Sequence, residues 1–148
     1  MKFKNSFSIF IQDTIHKRKQ ISKKQCEEWL SFVAKNQSKI TLRIVNENES
    51  QKLNKQFRNK DAATNILSFL MLDNPIEGDL VLCHPIIKRE AKAQNKKILD
   101  HYAHLIIHGY LHLLGYDHQN NADAAKMEKK EIEILNKFNI NDPYKDNK

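Results

Sequence analysis

Cysteine, glycine and proline are all scarce in this chain of 148 residues, which excludes several classes of protein. The two cysteines, Cys26 and Cys83, are too few and too far apart for a disulfide framework, so we expect core thiols in a reducing cytoplasm. Three glycines and three prolines form no flexible linker, which favours a single domain over residues 1–148. No apolar run approaches the ~20 residues of a membrane span, so we expect no membrane partner.

The charge of the chain is strongly unbalanced. Lysine and arginine outnumber aspartate and glutamate by 25 to 18, which leaves a formal net charge of +7. Such a balance favours polyanions such as nucleic acid. Only four of the basic residues are arginine, however, and a lysine-rich composition also arises from base-composition bias in a genome. Charge alone therefore leaves both explanations open.

Apolar periodicity and capping residues predict about four strands and five helices. The strands are expected at residues 7–12, 39–45, 65–70 and 78–82. The first helix follows the Ser22–Gln25 capping box and carries apolar residues as far as Val33, and a short second helix is capped by Asn48. Further helices are expected at residues 85–95, 99–114 and 121–138, followed by a polar tail of about ten residues that frays. The expected fold class is α+β, a small mixed sheet packed against several helices.

Three histidines, His108, His112 and His118, form the most informative pattern in the chain. Two histidines four apart on a helix lie about 40° apart around it and about 6 Å apart along it, so both imidazoles can share a metal ion. Gly115 allows the left-handed conformation that ends a helix, after which the chain can turn and bring His118 to a third ligand position. Three histidines leave a tetrahedral zinc with an open fourth position, as in catalytic sites, although nickel and copper also suit them.

The same histidine spacing occurs in the metzincin metalloproteases. In those enzymes the first histidine is followed by a glutamate that acts as the general base. Here that position is Gly109, which has no side chain and cannot take a proton. A peptidase therefore ranks well below other metal-dependent hydrolases.

The run from His108 to His118 resembles the signature of the YbeY family of bacterial endoribonucleases and ribosomal RNA maturation factors. Other segments resemble family motifs in the same order: residues 53–69, residues 77–82, and the last helix with Met127 and Glu131. Two positions depart from the family pattern. Asn65 stands where aspartate is usual and retains an oxygen acceptor for a capping or orienting role but not for acid/base chemistry. Leu70 stands where proline is usual and lets a strand continue.

The resemblance implies a zinc protein, with one Zn²⁺ per chain, that cleaves single-stranded RNA. It also implies a role in 16S ribosomal RNA 3′-end maturation and ribosome quality control, with the small ribosomal subunit and assembly factors as partners. His108, His112 and His118 match the metal ligands, and Arg58 matches an arginine of the family's RNA cleft. The expected catalytic residues are thus Arg58, as a contact to phosphate, and His108.

These features lead to the hypothesis of metal-assisted hydrolysis of an RNA phosphodiester, in which Arg58 neutralises charge on the phosphate. Guanidinium suits phosphate because it forms a bidentate fork, although Arg58 could instead be a surface residue paired with Asp61. Two other functions stay open: a metallohydrolase of another substrate, and a non-catalytic assembly factor with structural zinc. Gly109 argues against a peptidase, and the open fourth ligand position argues against structural zinc.

Five further residues near the motif have open roles. We expect His101 and His104 to pack or to support the ligands rather than to bind metal. Asp117 is a candidate general base, or else a cap for the next element. Glu128 and Glu131 are expected on a solvated helix face, from which either could orient a ligand histidine.

Overall fold

The computed structural model describes residues 6–16 and 21–145, and these contain four strands and five helices. The strands are β1 (Ser8–Asp13), β2 (Lys39–Val45), β3 (Ile66–Asp73) and β4 (Ile76–Cys83). The helices are α1 (Lys23–Leu30), α2 (Glu47–Arg58), α3 (His84–Ala93), α4 (Ile98–Leu113) and α5 (Asn121–Asn136). The α+β class expected from the sequence is confirmed.

The four strands form one mixed sheet in the order β1-β2-β4-β3. β1, β2 and β4 are parallel to one another, whereas β3 runs antiparallel to β4 and forms an edge. β4 is therefore paired on both sides, and its last four residues are all buried. The edge position of β3 leaves its outer side open next to the histidine-bearing helix.

Alternation along the strands produces an apolar layer on each face of the sheet. In β4, Leu80 and Leu82 belong to the larger core, to which α1, α4 and α5 contribute. Val81 and Cys83 belong to a smaller cluster against which Leu53 of α2 packs. Among the described helices, none has the length and apolar character that a bilayer crossing requires.

Most predicted boundaries differ from the structure by one to three residues, and three of these differences are informative. α1 ends at Leu30, so Val33 lies in the turn that follows. α2 is capped by Asn46 rather than Asn48, because the residue directly after β2 is already extended and its side chain accepts a hydrogen bond from the Glu49 amide at 2.9 Å. β3 continues beyond Leu70 to Asp73, since its pairing with β4 extends to that residue.

Candidate metal centre

Helix α4 lies unusually close to the sheet at Gly109. A Cβ atom at this position would lie 2.7 Å from Ile66 Cδ1, 2.9 Å from Leu80 Cδ2 and 3.1 Å from Ser68 Oγ. A side chain here would force the ends of the Ile66 and Leu80 side chains to move, so the packing favours glycine over a larger residue such as the glutamate of a metalloprotease. This contact holds the next turns of α4 beside the edge strand β3.

His108 and His112 project from one face of α4, as their spacing predicts. Their Nε2 atoms are 3.1 Å apart. A tetrahedral zinc with Zn–N bonds of about 2.0–2.1 Å separates its nitrogens by roughly 3.3–3.4 Å, so the two imidazoles are already close to ligand spacing. Burial, together with electrostatic repulsion between neighbouring imidazoles, lowers the pKa of His112 and favours the neutral form that binds metal.

Gly115 ends α4 and returns the chain toward the other two histidines. It adopts a φ of 102°. The Gly115 amide donates to the His112 carbonyl, and the Tyr116 amide donates to the Leu111 carbonyl, both at 3.0 Å, which is the Schellman arrangement. The His118 ring then lies 5.7 Å from the His108 ring and 5.0 Å from the His112 ring, between centroids. One potential ligand atom from each of the three histidines lies within 4.8 Å of the others.

Glu131 of α5 orients the first of these histidines. Its side chain is fully buried, and Oε2 accepts a hydrogen bond from His108 Nδ1 at 2.8 Å. A proton on Nδ1 leaves the Nε2 lone pair free for a metal, which is the usual support for a ligating histidine. The expectation that Glu131 lies on a solvated helix face is wrong, because α5 packs against α4 at this point, and the orienting role considered for it agrees with the geometry.

Two other side chains form hydrogen bonds with the Glu131 carboxylate. His104 Nε2 lies 2.8 Å from Glu131 Oε1, and Tyr144 donates to the same oxygen at 2.6 Å. Burial alone would raise the pKa of Glu131, but hydrogen bonds from His104, His108 and Tyr144 outweigh it and lower the pKa to about 2. The carboxylate is therefore charged, and it forms hydrogen bonds with three side chains. His104 thus contacts the carboxylate that orients His108, but because His104, His108 and Glu131 are themselves close enough to hold a metal ion, its supporting role stays a prediction.

Tyr144 belongs to the tail that was expected to fray. Within that tail the structure describes residues up to 145, and the last three lie outside the described residues. The Asp142 side chain accepts from the Tyr144 amide at 2.8 Å, which turns the chain back over α5. A lone tyrosine in a polar segment carries no sequence signal for such a contact, because the contact depends on how α4 and α5 pack.

A second hydrogen-bonded group surrounds the buried His101, one turn before His104 on α4. His101 is 3% exposed, and its Nε2 lies 2.8 Å from Glu90 of α3. Asn65 donates to the same carboxylate at 3.1 Å. An aspartate at position 65 would place a second carboxylate against Glu90, so the amide suits this site better. His101 thus packs and hydrogen-bonds away from the three-histidine cluster, as expected.

The three histidines open into a cavity of about 500 Å³ between α4 and β3. Arg58, at the end of α2, lines the same cavity. Its Nη2 donates to the Ser68 carbonyl at 2.6 Å, and its guanidinium lies 4.9 Å over the Phe69 ring. Asp61 instead accepts from Gln51, so the alternative of an Arg58–Asp61 pair does not describe this structure.

The two remaining acidic candidates lie outside this cavity. Asp117 accepts a hydrogen bond from the His118 backbone amide at 2.7 Å and borders a different depression, while α5 is capped by Asn120. Glu128 borders a smaller pocket behind His108 and His118. Among the residues described around the cavity itself, no side chain is a carboxylate.

The donor set fits a borderline metal ion. Three imidazoles suit zinc, nickel or copper better than magnesium or calcium, which prefer oxygen ligands. Three ligands on one side of an open cavity also match a catalytic site more closely than a closed structural one. The residues therefore form a candidate metal centre with room for a substrate.

The family model described as Endoribonuclease YbeY matches residues 9–139. The chain belongs to the YbeY family. A YbeY endoribonuclease from Nitrosomonas eutropha is 48% identical over 118 residues, which are 79% of this chain and 84% of the relative. Another from Nitrosococcus oceani is 42% identical over 149 residues, covering 94% of this chain and 97% of the relative.

The fold of this YbeY family member also has a solved counterpart. A Thermotoga maritima protein whose structure was determined in solution superposes with a TM-score of 0.58, covering 96% of this chain and 97% of its own. Its sequence identity is 24%, so the likeness concerns the fold alone. The family resemblance first read from the histidine motif is confirmed.

Proposed function

We propose that this chain is a zinc-dependent endoribonuclease that cleaves single-stranded RNA. The observation that carries the proposal is that three histidines with metal-ligand spacing and Arg58 face one cavity. The endoribonuclease names of relatives that match most of the chain support it. The net charge of +7 suits a phosphate-rich substrate.

In this proposal, different residues of the chain bind the metal and contact the phosphate of the substrate. A bound Zn²⁺ would supply a Lewis acid with an open coordination position. Arg58, held by the Ser68 carbonyl and the Phe69 ring, presents its remaining donors to the charge that develops on a phosphoryl oxygen. Glu131 holds the His108 ring so that Nε2 faces the cavity side where His112 lies.

The absence of a carboxylate among the described cavity residues distinguishes this site from a peptidase. RNA carries a nucleophile of its own, the 2′-hydroxyl, whose attack yields products with 2′,3′-cyclic phosphate ends. Attack by water yields linear phosphate ends. Mapping the product ends therefore decides between the two routes.

Cleavage of a labelled single-stranded RNA tests the proposal. Wild-type protein and His112→Ala are stripped with a chelator, assayed, and assayed again with one equivalent of Zn²⁺ per chain. We expect zinc to restore cutting in the wild type only, with one zinc per wild-type chain by elemental analysis. Equal cutting by both proteins would indicate a contaminating nuclease and would favour an assembly factor or a different substrate.

We further propose that the substrate is the 3′ end of 16S ribosomal RNA, processed with the small ribosomal subunit and assembly factors in the bacterial cytoplasm as part of ribosome quality control. Membership of a family known for ribosomal RNA maturation supports this role. Cells without the gene should accumulate 16S precursors with extended 3′ ends, and wild-type protein but not His112→Ala should remove them. Unchanged 3′ ends in those cells would refute the ribosomal role.

A further inference from the structure

Beside the cavity, on the outer side of Arg58, lies an exposed aromatic side chain. This residue, Phe57, is 53% exposed, whereas phenylalanine side chains are more often buried. Its ring meets the Phe69 ring edge-on, with centroids 5.4 Å apart and an interplanar angle of 67°. Arg58 stacks over the same Phe69 ring and also lines the cavity. We call Phe57, Arg58 and Phe69 the aromatic platform; it connects the cavity to the surface.

Both apolar and basic residues occur in the two elements that carry the aromatic platform, β3 and α2. On the neighbouring edge strand β3, Leu70, Met71 and Leu72 are 48%, 62% and 45% exposed. Three exposed apolar residues in a row on an edge strand are a stronger sign of an interaction site than a single exposed apolar residue. Basic residues also occur on α2 and just after it: Lys52, Lys55, Arg58 and Lys60.

A nucleic-acid strand fits this surface better than an added β-strand from a protein. Strand addition requires free backbone groups on the edge of the sheet. Here the Ser68 carbonyl is already bonded to Arg58, and a register shift between Leu70 and Leu72 interrupts the ladder. Single-stranded nucleic acid instead needs cations for its phosphates and aromatic faces for its bases, and both are present.

We infer that Phe57 is a stacking surface for a nucleobase of single-stranded RNA, next to the nucleotide whose phosphate contacts Arg58. The inference rests on the proposed function and deepens it by placing a base-binding position outside the metal centre. Every base has a π-face, so the position tolerates any base and selects unpaired over paired RNA. A base inside a duplex is already stacked on its neighbours and therefore cannot stack on the Phe57 ring.

The test measures stacking and binding separately from cleavage. Zinc-loaded proteins are mixed rapidly with a single-stranded RNA that contains 2-aminopurine, and the fluorescence quench and the KM for cleavage are recorded. Phe57→Leu keeps the apolar contact with Phe69 but removes the aromatic face, and Phe57→Trp restores one. Phe10→Leu is the matched control, because Phe10 is also 53% exposed and lies on β1 at the opposite edge of the sheet.

We expect Phe57→Leu to lose the quench and to weaken RNA binding about tenfold, with kcat nearly unchanged. Phe57→Trp should bind as the wild type does, and Phe10→Leu should change nothing. Equal quench and equal KM in wild type and Phe57→Leu would overturn the stacking role of Phe57. The proposed function would still stand in that case if the wild type cleaves RNA and His112→Ala does not. A wild type that neither binds nor cuts RNA would overturn both.

Discussion

Glu131 of α5 accepts a 2.8 Å hydrogen bond from His108 of α4, although 23 residues separate them in the chain. The acceptor is fully buried, and its other oxygen accepts from His104 and Tyr144. A buried carboxylate with three hydrogen-bond partners restricts the His108 ring and favours the tautomer with its proton on Nδ1. The candidate metal centre is therefore oriented by a carboxylate that lies outside the three-histidine cluster.

Replacing this carboxylate should weaken metal binding. We expect Glu131→Gln to lower zinc affinity about 10- to 100-fold, because an amide supports His108 less well than a carboxylate does. Competition with a chromophoric chelator measures the affinity. Glu133→Gln, on the exposed face of the same helix, should leave it unchanged, and equal losses in both variants would contradict the orienting role.

The hydroxyl of Tyr144 should stabilise the fold through its hydrogen bond to the same carboxylate. Tyr144→Phe removes the hydroxyl that donates to Glu131 at 2.6 Å and lies 3.2 Å from His104 Nε2, and we expect it to cost about 1.5–3 kcal/mol of unfolding free energy in the metal-free protein. Urea denaturation measures this loss. Tyr116→Phe is the control, since the Tyr116 hydroxyl makes no hydrogen bond among the described residues. A Tyr144→Phe protein as stable as the control would show that the tail is not docked in solution.

Gly109 should be intolerant of a side chain because of contact rather than backbone strain. We expect Gly109→Ala to destabilise the fold by about 1–3 kcal/mol, as overpacking does, despite the better helix propensity of alanine. Ile66→Val removes the Cδ1 atom that the new Cβ would approach at 2.7 Å. The double variant should therefore recover part of the loss in thermal unfolding, and strictly additive losses would contradict this packing explanation.

Arg58 should matter for its planar fork and not only for its charge. Because lysine lacks the fork and the stacking on Phe69, we expect Arg58→Lys to lower kcat/KM for RNA cleavage by about tenfold and Arg58→Ala by about 100-fold. Zinc content should stay at the wild-type level in both. Arg89→Lys, at an exposed pair with Glu47, is the control, and equal activity of Arg58→Lys and wild type would refute a geometric role.

Salt should weaken RNA binding steeply. Each phosphate that the protein neutralises in single-stranded RNA contributes a slope of about −0.7 in log K against log salt concentration. We expect a clearly negative slope for the wild type, reduced in size when Lys55 and Lys60 are both changed to alanine. Fluorescence anisotropy over a range of salt concentrations measures it. A flat dependence would mean that the basic surface does not contact RNA.

Much of the metal centre follows from local sequence. The positions of His108 and His112 depend only on helix geometry, and the return of His118 depends on a glycine that accepts positive φ. The second strand, residues 39–45, is found where it was predicted, because its alternating pattern is complete within seven residues. These features involve residues that are neighbours in the chain, so a local pattern contains the necessary information.

Other features were decided only when distant segments packed together. The roles of Glu131 and Tyr144 depend on α5 and the tail lying against α4, and no periodicity in the chain encodes that contact. Asn46 and Asn48 are equally good caps by residue type, and the end of β2 selects the first. Arg58 reaches the cavity because β3 is the edge strand beside β4 in the sheet. Local patterns determine which residues can bind metal, while tertiary packing determines which side chains surround them, since hydrogen bonds and burial between distant elements exist only in the folded chain.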